Sequence, residues 1–282
     1  MFPMTSFPSR FVRTAGLLSA LLAGAAAQAT VIYSNLPTLA GNVDSWAYEA
    51  TQTRELGDHV QFAGIERALN SVTITMSNWS KASSWDSVED GFQHDVTFNI
   101  YNYATDAMAG SLIATKTINT LVPWRAEADN DKCTGADAGK WFSTVSGRCH
   151  NGVAFNVTFD FTGMGVILPD DIVFGVSSNT TNWGNAPLGG AGGPYDSLNY
   201  GLTSAAPSVG TDVDPQSLFL NTANPANLVS GTVNNFGADD GWSGDWYYVP
   251  IASFDASIPE PATLALFGLA LVGLVTSRRR KV

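Results

Sequence analysis

The sequence predicts a mainly β protein: an antiparallel β-sandwich, a jelly-roll connection allowed by its spacing, with an N-terminal signal peptide before it and a C-terminal transmembrane helix after it. Three observations carry this. Only 14% of the 282 residues are charged, against about 25% in an average soluble domain, while Gly numbers 27, Phe 15, and Trp and Tyr 8 each. Short apolar runs alternate with Ser, Thr and Asn at a period of two, the spacing of a half-buried strand. The long unbroken apolar stretches sit at the two ends.

In residues 1–29, Arg10 and Arg13 precede an apolar stretch over residues 15–27, and Ala27, Gln28 and Ala29 form the small-x-small ending cut by signal peptidase. Cleavage there starts the mature chain at Thr30 and leaves residues 30–257 as the exported β-sandwich domain.

Residues 31–36 begin the first strand, ahead of a turn around Gly41. In residues 71–77, Val72, Ile74 and Met76 point one way and Ser71, Thr73, Thr75 and Ser77 the other. Val96, Phe98 and Ile100 share a face in residues 96–103, as do Val153, Phe155, Val157, Phe159 and Phe161 further on. A strand at residues 172–176 follows the Pro169-Asp170-Asp171 turn. Two more surround residues 229–236 and 246–254, where Pro250 points to an edge or a bulge because it cannot donate to a ladder.

Cys133 and Cys149, the only cysteines, have fifteen residues between them in a Gly-rich excursion. Export favours a structural disulfide over a redox pair or a metal site, and no CxxC spacing supports either alternative. By chain entropy such a loop is worth about 3 kcal/mol.

Charge narrows the partners. Lys plus Arg is 14 and Asp plus Glu 25, a net charge of -11. Six of the basic residues lie at the termini, so residues 30–277 hold 8 basic against 25 acidic side chains, a balance of -17. Repulsion from phosphates argues against a nucleic-acid partner.

No catalytic set stands out. His59, His94 and His150 lack metal-ligand spacing, and neither a GxSxG elbow nor a P-loop is present. Asp86, Glu89 and Asp90 crowd one loop without showing the spatial pairing that glycoside hydrolysis needs. Asp129 and Asp131 flank Asn130, and Asp239, Asp240 and Asp245 form a second group; both offer oxygens to a structural Ca2+, though neither follows the EF-hand and solvated acids are the plainer reading. Trp79 and Trp85 flank a Ser-rich turn, and Trp242, Trp246, Tyr247 and Tyr248 fall within seven positions. Such rings either fill the sandwich core and rim or form an exposed platform that stacks on sugar faces.

At the C-terminus Ile258, Pro259, Glu260 and Pro261 precede sixteen apolar residues, 262–277, followed by Arg278, Arg279, Arg280 and Lys281. Sixteen residues span about 24 Å as a helix, short of the roughly 30 Å hydrocarbon core unless Arg snorkelling and local thinning close the gap. The basic end stays cytoplasmic and places the rest of the chain across the membrane.

This three-part end resembles the PEP-CTERM sorting domain of exported Gram-negative proteins: Pro259, Glu260 and Pro261 match its signature, residues 262–277 its membrane segment, and Arg278, Arg279 and Arg280 its basic cluster. Ile258 stands where the family commonly has Val. The resemblance covers residues 258–282 and implies an exosortase, a membrane transpeptidase-like enzyme that cuts at Pro-Glu-Pro and passes the protein to the cell surface or extracellular matrix. Residues 50–79, with a Gly-Asp segment, an apolar strand and an alternating strand ending near Trp79, are similar to the N-terminal β region of other exported proteins carrying this signal.

The expected function follows: a non-enzymatic surface or matrix protein, transiently membrane-anchored, handled by signal peptidase and exosortase, with exopolysaccharide or another matrix component as partner. Glycan binding through Trp79, Trp85, Trp242, Trp246 and Tyr247 is its leading specific activity. A polysaccharide hydrolase is the alternative.

Overall fold

The computed structural model describes residues 29–104, 109–213, 215, 218–221, 228–231 and 248–259. The signal peptide up to Gln28, the second acidic group (Asp239, Asp240, Asp245), Trp242, Trp246 and Tyr247, and everything from Glu260 onward, including Pro261, Arg278, Arg279 and Arg280, lie outside the described residues.

The alternating segments become long strands. In chain order they are β1 (Thr30–Ser34), β2 (Asp44–Ala47), β3 (Glu55–Gln61), β4 (Ala68–Asn78), β5 (Gly91–Tyr103) and β6 (Ala109–Pro123). A short pair follows, β7 (Trp141–Ser143) and β8 (Arg148–His150), then β9 (Val153–Asp160), β10 (Asp171–Ser178) and β11 (Leu198–Thr203). The last are β12 (Thr211–Asp212), β13 (Leu218–Asn221), β14 (Leu228–Gly231), β15 (Val249–Pro250) and β16 (Ala252–Ser257).

Among the described residues these strands form two seven-stranded antiparallel sheets and the β7–β8 hairpin. The first sheet runs β1-β16-β4-β11-β15, with β9 on the other side of β4 and β2 beside β11. The second runs β14-β13-β3-β10-β5-β6, with β12 also on β3. Chain ends meet in the first sheet, where β16 lies between β1 and β4.

The alternation read from sequence fixes which side chains fill the space between the sheets. Val72, Ile74 and Met76 of β4 and Val157 and Phe159 of β9 are buried against Val96, Phe98 and Ile100 of β5 and Phe174 and Val176 of β10. Phe98 sits at the centre, its ring 5.4 Å from Phe159, 5.6 Å from Phe174 and 5.8 Å from Phe254. Aromatic residues therefore do serve the core; among the described residues they are Phe62, Phe98, Phe159, Phe161, Phe174, Phe219 and Phe254, with Tyr33, Tyr48 and Tyr200.

Two predicted strands lie at the C-terminal side of the domain. Of the segment expected at residues 229–236, residues 229–231 fall in β14 and residues 232–236 lie outside the described residues. The one expected at 246–254 divides at Ile251 into β15 and β16, because Pro250 cannot continue the ladder; β15 sits at the end of the first sheet's strand order, the edge position Pro250 requires. Asn35, buried beside this break, repairs it: its side chain donates to the Pro250 carbonyl (3.0 Å) and accepts from the Ala252 N–H (2.8 Å).

Candidate functional site

The excursion between β6 and β9 builds a surface that gathers aromatic, cationic and hydroxyl groups. It is closed by a disulfide between Cys133 and Cys149, whose Cα atoms lie 5.8 Å apart, inside the range a bridge can span. Within it, Trp141 and Ser143 pair across the hairpin with His150 and Arg148.

Long-range contacts fix the hairpin to the segment before β2. Ser143 Oγ donates to the Ala40 carbonyl (2.6 Å), and the Ala154 N–H donates to the Gly41 carbonyl (2.9 Å). Gly41 has φ 153° and carries no side chain where a Cβ would overlap the His150 ring, so the imidazole lies directly against backbone. His150 Nε2 is 2.8 Å from Ser146 Oγ, and Trp141 is 5.5 Å away between ring centroids.

Trp79 continues this surface. Its indole occupies the space that a Gly152 side chain would fill, and its Nε1–H donates to Ser77 Oγ (3.1 Å), which in turn donates to Asn42 Oδ1 (2.7 Å). Trp141 Nε1–H donates to the Gly152 carbonyl (2.7 Å), so two indoles share one glycine. Trp85 is held in the next loop by its Nε1–H to Ser80 Oγ (2.8 Å). Trp79 stays 44% exposed and Trp85 43%, although each has its polar edge satisfied. Arg125 crosses nearby, its Nε–H donating to the Trp79 carbonyl (3.1 Å).

Beside the platform is a cleft of about 410 Å³ between residues 37–44, the hairpin and the end of β11. Arg148, His150 and Ser146 line it from the hairpin and Asp44 from β2. Burial, with the positive charges of Arg148 and Lys140, holds the His150 imidazole below its ordinary value of 6.5. Burial raises the Asp44 carboxyl, against the opposing effect of a hydrogen bond from Tyr248.

The other singled-out residues go elsewhere. Asp129 Oδ1 accepts from the Asp131 (3.2 Å) and Lys132 (3.0 Å) backbone N–H groups, and those contacts keep its carboxyl below the usual range. It caps a turn, and Asp131 and Asn130 are exposed; among the described residues no group of three His, Cys, Asp or Glu is placed to hold a metal. Asp86, Glu89 and Asp90 are exposed in the loop after Trp85. His59 stacks on Tyr103 at 3.9 Å and meets Asp171 at 3.0 Å, away from His94 and His150.

Sequence reasoning missed two arrangements. One is the cleft, whose Arg148 and Asp44 carried no motif. The other is Glu55, buried on the face of β3 opposite Leu56; its carboxylate lies over Gly175 and accepts from Asn99 Nδ2 (2.7 Å) and the Tyr101 hydroxyl (3.0 Å). Burial and that carboxylate push the Tyr101 phenol well up. Charged letters inside an otherwise strand-like ELGDHVQ are the signal that such acids are paired within the sheet.

Residues 257–281 match the model of the PEP-CTERM protein-sorting motif. The chain therefore carries the C-terminal sorting motif that marks a protein for an exosortase. The motif implies export and C-terminal membrane anchoring before processing, with an exosortase as partner. No curated protein and no solved structure matches the chain. Among the described residues the motif begins where the last ladder ends: Ser257 makes the last β16 pair, opposite Ala68, its carbonyl accepts from the Arg67 N–H (3.1 Å), and Ile258 and Pro259 run on without a ladder.

Proposed function

We propose that this protein is a non-catalytic component of the cell surface or extracellular matrix that binds glycan, exopolysaccharide being the partner its sorting route favours. Signal peptidase frees Thr30, the exosortase acts at the Pro-Glu-Pro segment, and the sandwich presents the tryptophans. The observation that carries the reading is Trp79: its ring is laid on Gly152, its one donor is already used by Ser77, and its remaining surface is open. An indole held in this way offers apolar area without an unsatisfied donor, which suits the C–H face of a sugar. Trp85 offers a second such surface, with exposed hydroxyl and carboxylate groups nearby to position the sugar hydroxyls.

Co-sedimentation of the mature protein with a panel of insoluble and gel-forming polysaccharides tests this. Retention that falls at least about tenfold in W79A, and further in W79A/W85A, with unchanged melting, supports it; that factor is the 1.4 kcal/mol scale of one stacking contact. Equal retention by wild type and double variant refutes the platform, and glycosidic turnover by wild type refutes the non-catalytic assignment.

A further inference from the structure

We propose that the cleft beside the platform takes an acidic sugar unit, a uronic-acid type, of the same glycan, with its carboxylate on Arg148. The inference rests on the glycan reading above and names the class of sugar.

Arg148 is the group that selects the class. The excursion carries four of the eight basic residues in residues 30–277: Arg125, Lys132, Lys140 and Arg148. Three are engaged, Lys132 with Asp129 (3.6 Å), Lys140 with Asp137 (2.7 Å), and Arg125 with the backbone carbonyls of Trp79 and Gly139. Arg148 is exposed and lines the cleft, and among the described residues its guanidinium makes no hydrogen bond or ion pair. A planar guanidinium pairs bidentately with a carboxylate, so a free one in a cleft of hydroxyls selects a sugar acid over a neutral sugar.

The rest of the wall separates a sugar acid from a simple anion. Thr38, Thr203 and Ser204 contribute hydroxyls, Asn42 an amide and Asp44 an acceptor, a set that pairs with the several O–H groups of a sugar, whereas a bare sulfate has no donor to offer Asp44. His150, with its pKa held low by burial and neighbouring cations, is neutral at pH 7 and adds no second charge. The volume, about 410 Å³, lies within the range of small-ligand sites.

Position and rigidity agree. From His150 to Gly152 is two residues, about 7 Å of extended chain at most, so the cleft and the Trp79 platform adjoin along one backbone. The Cys133–Cys149 bridge and the Ser143–Ala40 hydrogen bond fix that wall before ligand arrives. The acidic balance argues against a polyphosphate, which needs many basic contacts at once, whereas one carboxylate seated on Arg148 needs a single one, with exposed acids beyond about 8 Å screened at physiological salt.

The test titrates the mature protein with oligouronates (galacturonate, glucuronate, mannuronate and guluronate) and with their carboxyl-reduced, neutral counterparts. Wild type should bind at least one acid form about tenfold tighter than its reduced form, the scale of one charge-assisted pair. R148Q should bring that ratio to near one, R148K should fall between, and W79A should weaken both forms alike. If wild type does not distinguish the two forms while W79A still weakens both, the acid-sugar assignment fails and the glycan reading stands. An acid preference unchanged in R148Q also overturns it. Absence of binding to every form overturns it too, and W79A against the neutral polysaccharide panel then shows whether the platform itself survives.

Discussion

Thr30 lies directly across the β ladder from Ala256. The first residue expected after signal peptidase cleavage thus pairs with a residue three positions before Pro259, and both processing junctions leave the sheet at the same end of the β1–β16 pair. Because β16 sits between β1 and β4, the N-terminal strand gains its ladder partner only after the C-terminal strand is in place.

A truncation pair tests this dependence. Ending the chain at Pro259 removes the sorting segment but no ladder, and its exported product should melt with the wild-type domain. Ending it at Ile251 removes β16, and with it Phe254, fully buried and in ring contact with Tyr33, Phe62, Phe98 and Phe174. Loss of one such Phe alone costs about 3–5 kcal/mol against a typical stability of about 5–15 kcal/mol. The shorter chain should be degraded or unfolded in limited proteolysis, and a cooperative melt from it would contradict the argument.

Asn35 should be among the most costly polar positions. In Asn35→Ala the Pro250 carbonyl and Ala252 N–H lose their partners inside the sheet, each at about 1–3 kcal/mol. A total loss of about 2–6 kcal/mol in urea denaturation is expected, against little change for Asn130→Ala, which is exposed.

The contrast shows what a sequence displays and what it hides. Val96, Phe98 and Ile100 announce their face because a strand's side chains alternate regardless of partner. Asn35 looks like any turn residue, since its role depends on a break in a strand 215 positions away. The cleft was hidden for the same reason: Ser143 finds Ala40 across 103 positions. Asp129 is ambiguous in the sequence for a different reason. An Asp-Asn-Asp run reads alike whether its oxygens face a cation or cap a turn through N–H groups two and three residues on.

The domain should lose stability as pH falls below 6.5. His94 is buried, stacked on Tyr195 at 5.3 Å, and burial holds its imidazole below the ordinary 6.5 even though Asp95, Asp196 and a backbone hydrogen bond to Asn179 oppose the shift. His150 is shifted the same way. The unfolded chain therefore takes up protons first, so this contribution is complete above 6.5 and is lost progressively as pH drops below it. Asp129 and Asp160, whose carboxyls are held low, act only at more acid pH. Urea midpoints between pH 7.5 and 5 should decline in wild type and flatten in H94Q/H150Q; an unchanged slope in that variant counts against the assignment.

Reduction should act locally first. The Cys133–Cys149 bridge closes an excursion that lies outside the two sheets, held otherwise by the contacts of Trp141, Ser143 and Arg125. The C133S/C149S variant forfeits about 3 kcal/mol of loop restraint by chain entropy. Protease nicking within residues 134–148, mapped by mass spectrometry, should appear while the sandwich remains folded. Resistance equal to wild type would show that the side-chain contacts alone hold the hairpin.

The sorting signal sets the final expectation. Ser257 ends the ladder, and Pro259, lacking an N–H, cannot extend it, so the Pro-Glu-Pro segment begins outside the sheet's hydrogen bonding. Beyond it the sequence runs through the apolar residues 262–277 to Arg278, Arg279, Arg280 and Lys281, the parts of the sorting motif that imply membrane anchoring before processing. A permanent anchor and a transient sorting signal share every one of these features and differ in a single covalent step. Peptide mapping of the surface form in strains with and without the exosortase separates them. Processing predicts that peptides covering residues 278–282 are missing from the surface form of the competent strain and retained, with the protein held in the membrane, in the deficient one. Glu260→Gln in the competent strain should reproduce the retained pattern if the carboxylate is part of what the enzyme reads. Recovery of the basic C-terminal peptide from the surface form of both strains would make the segment a permanent anchor and remove the exosortase from this protein's maturation.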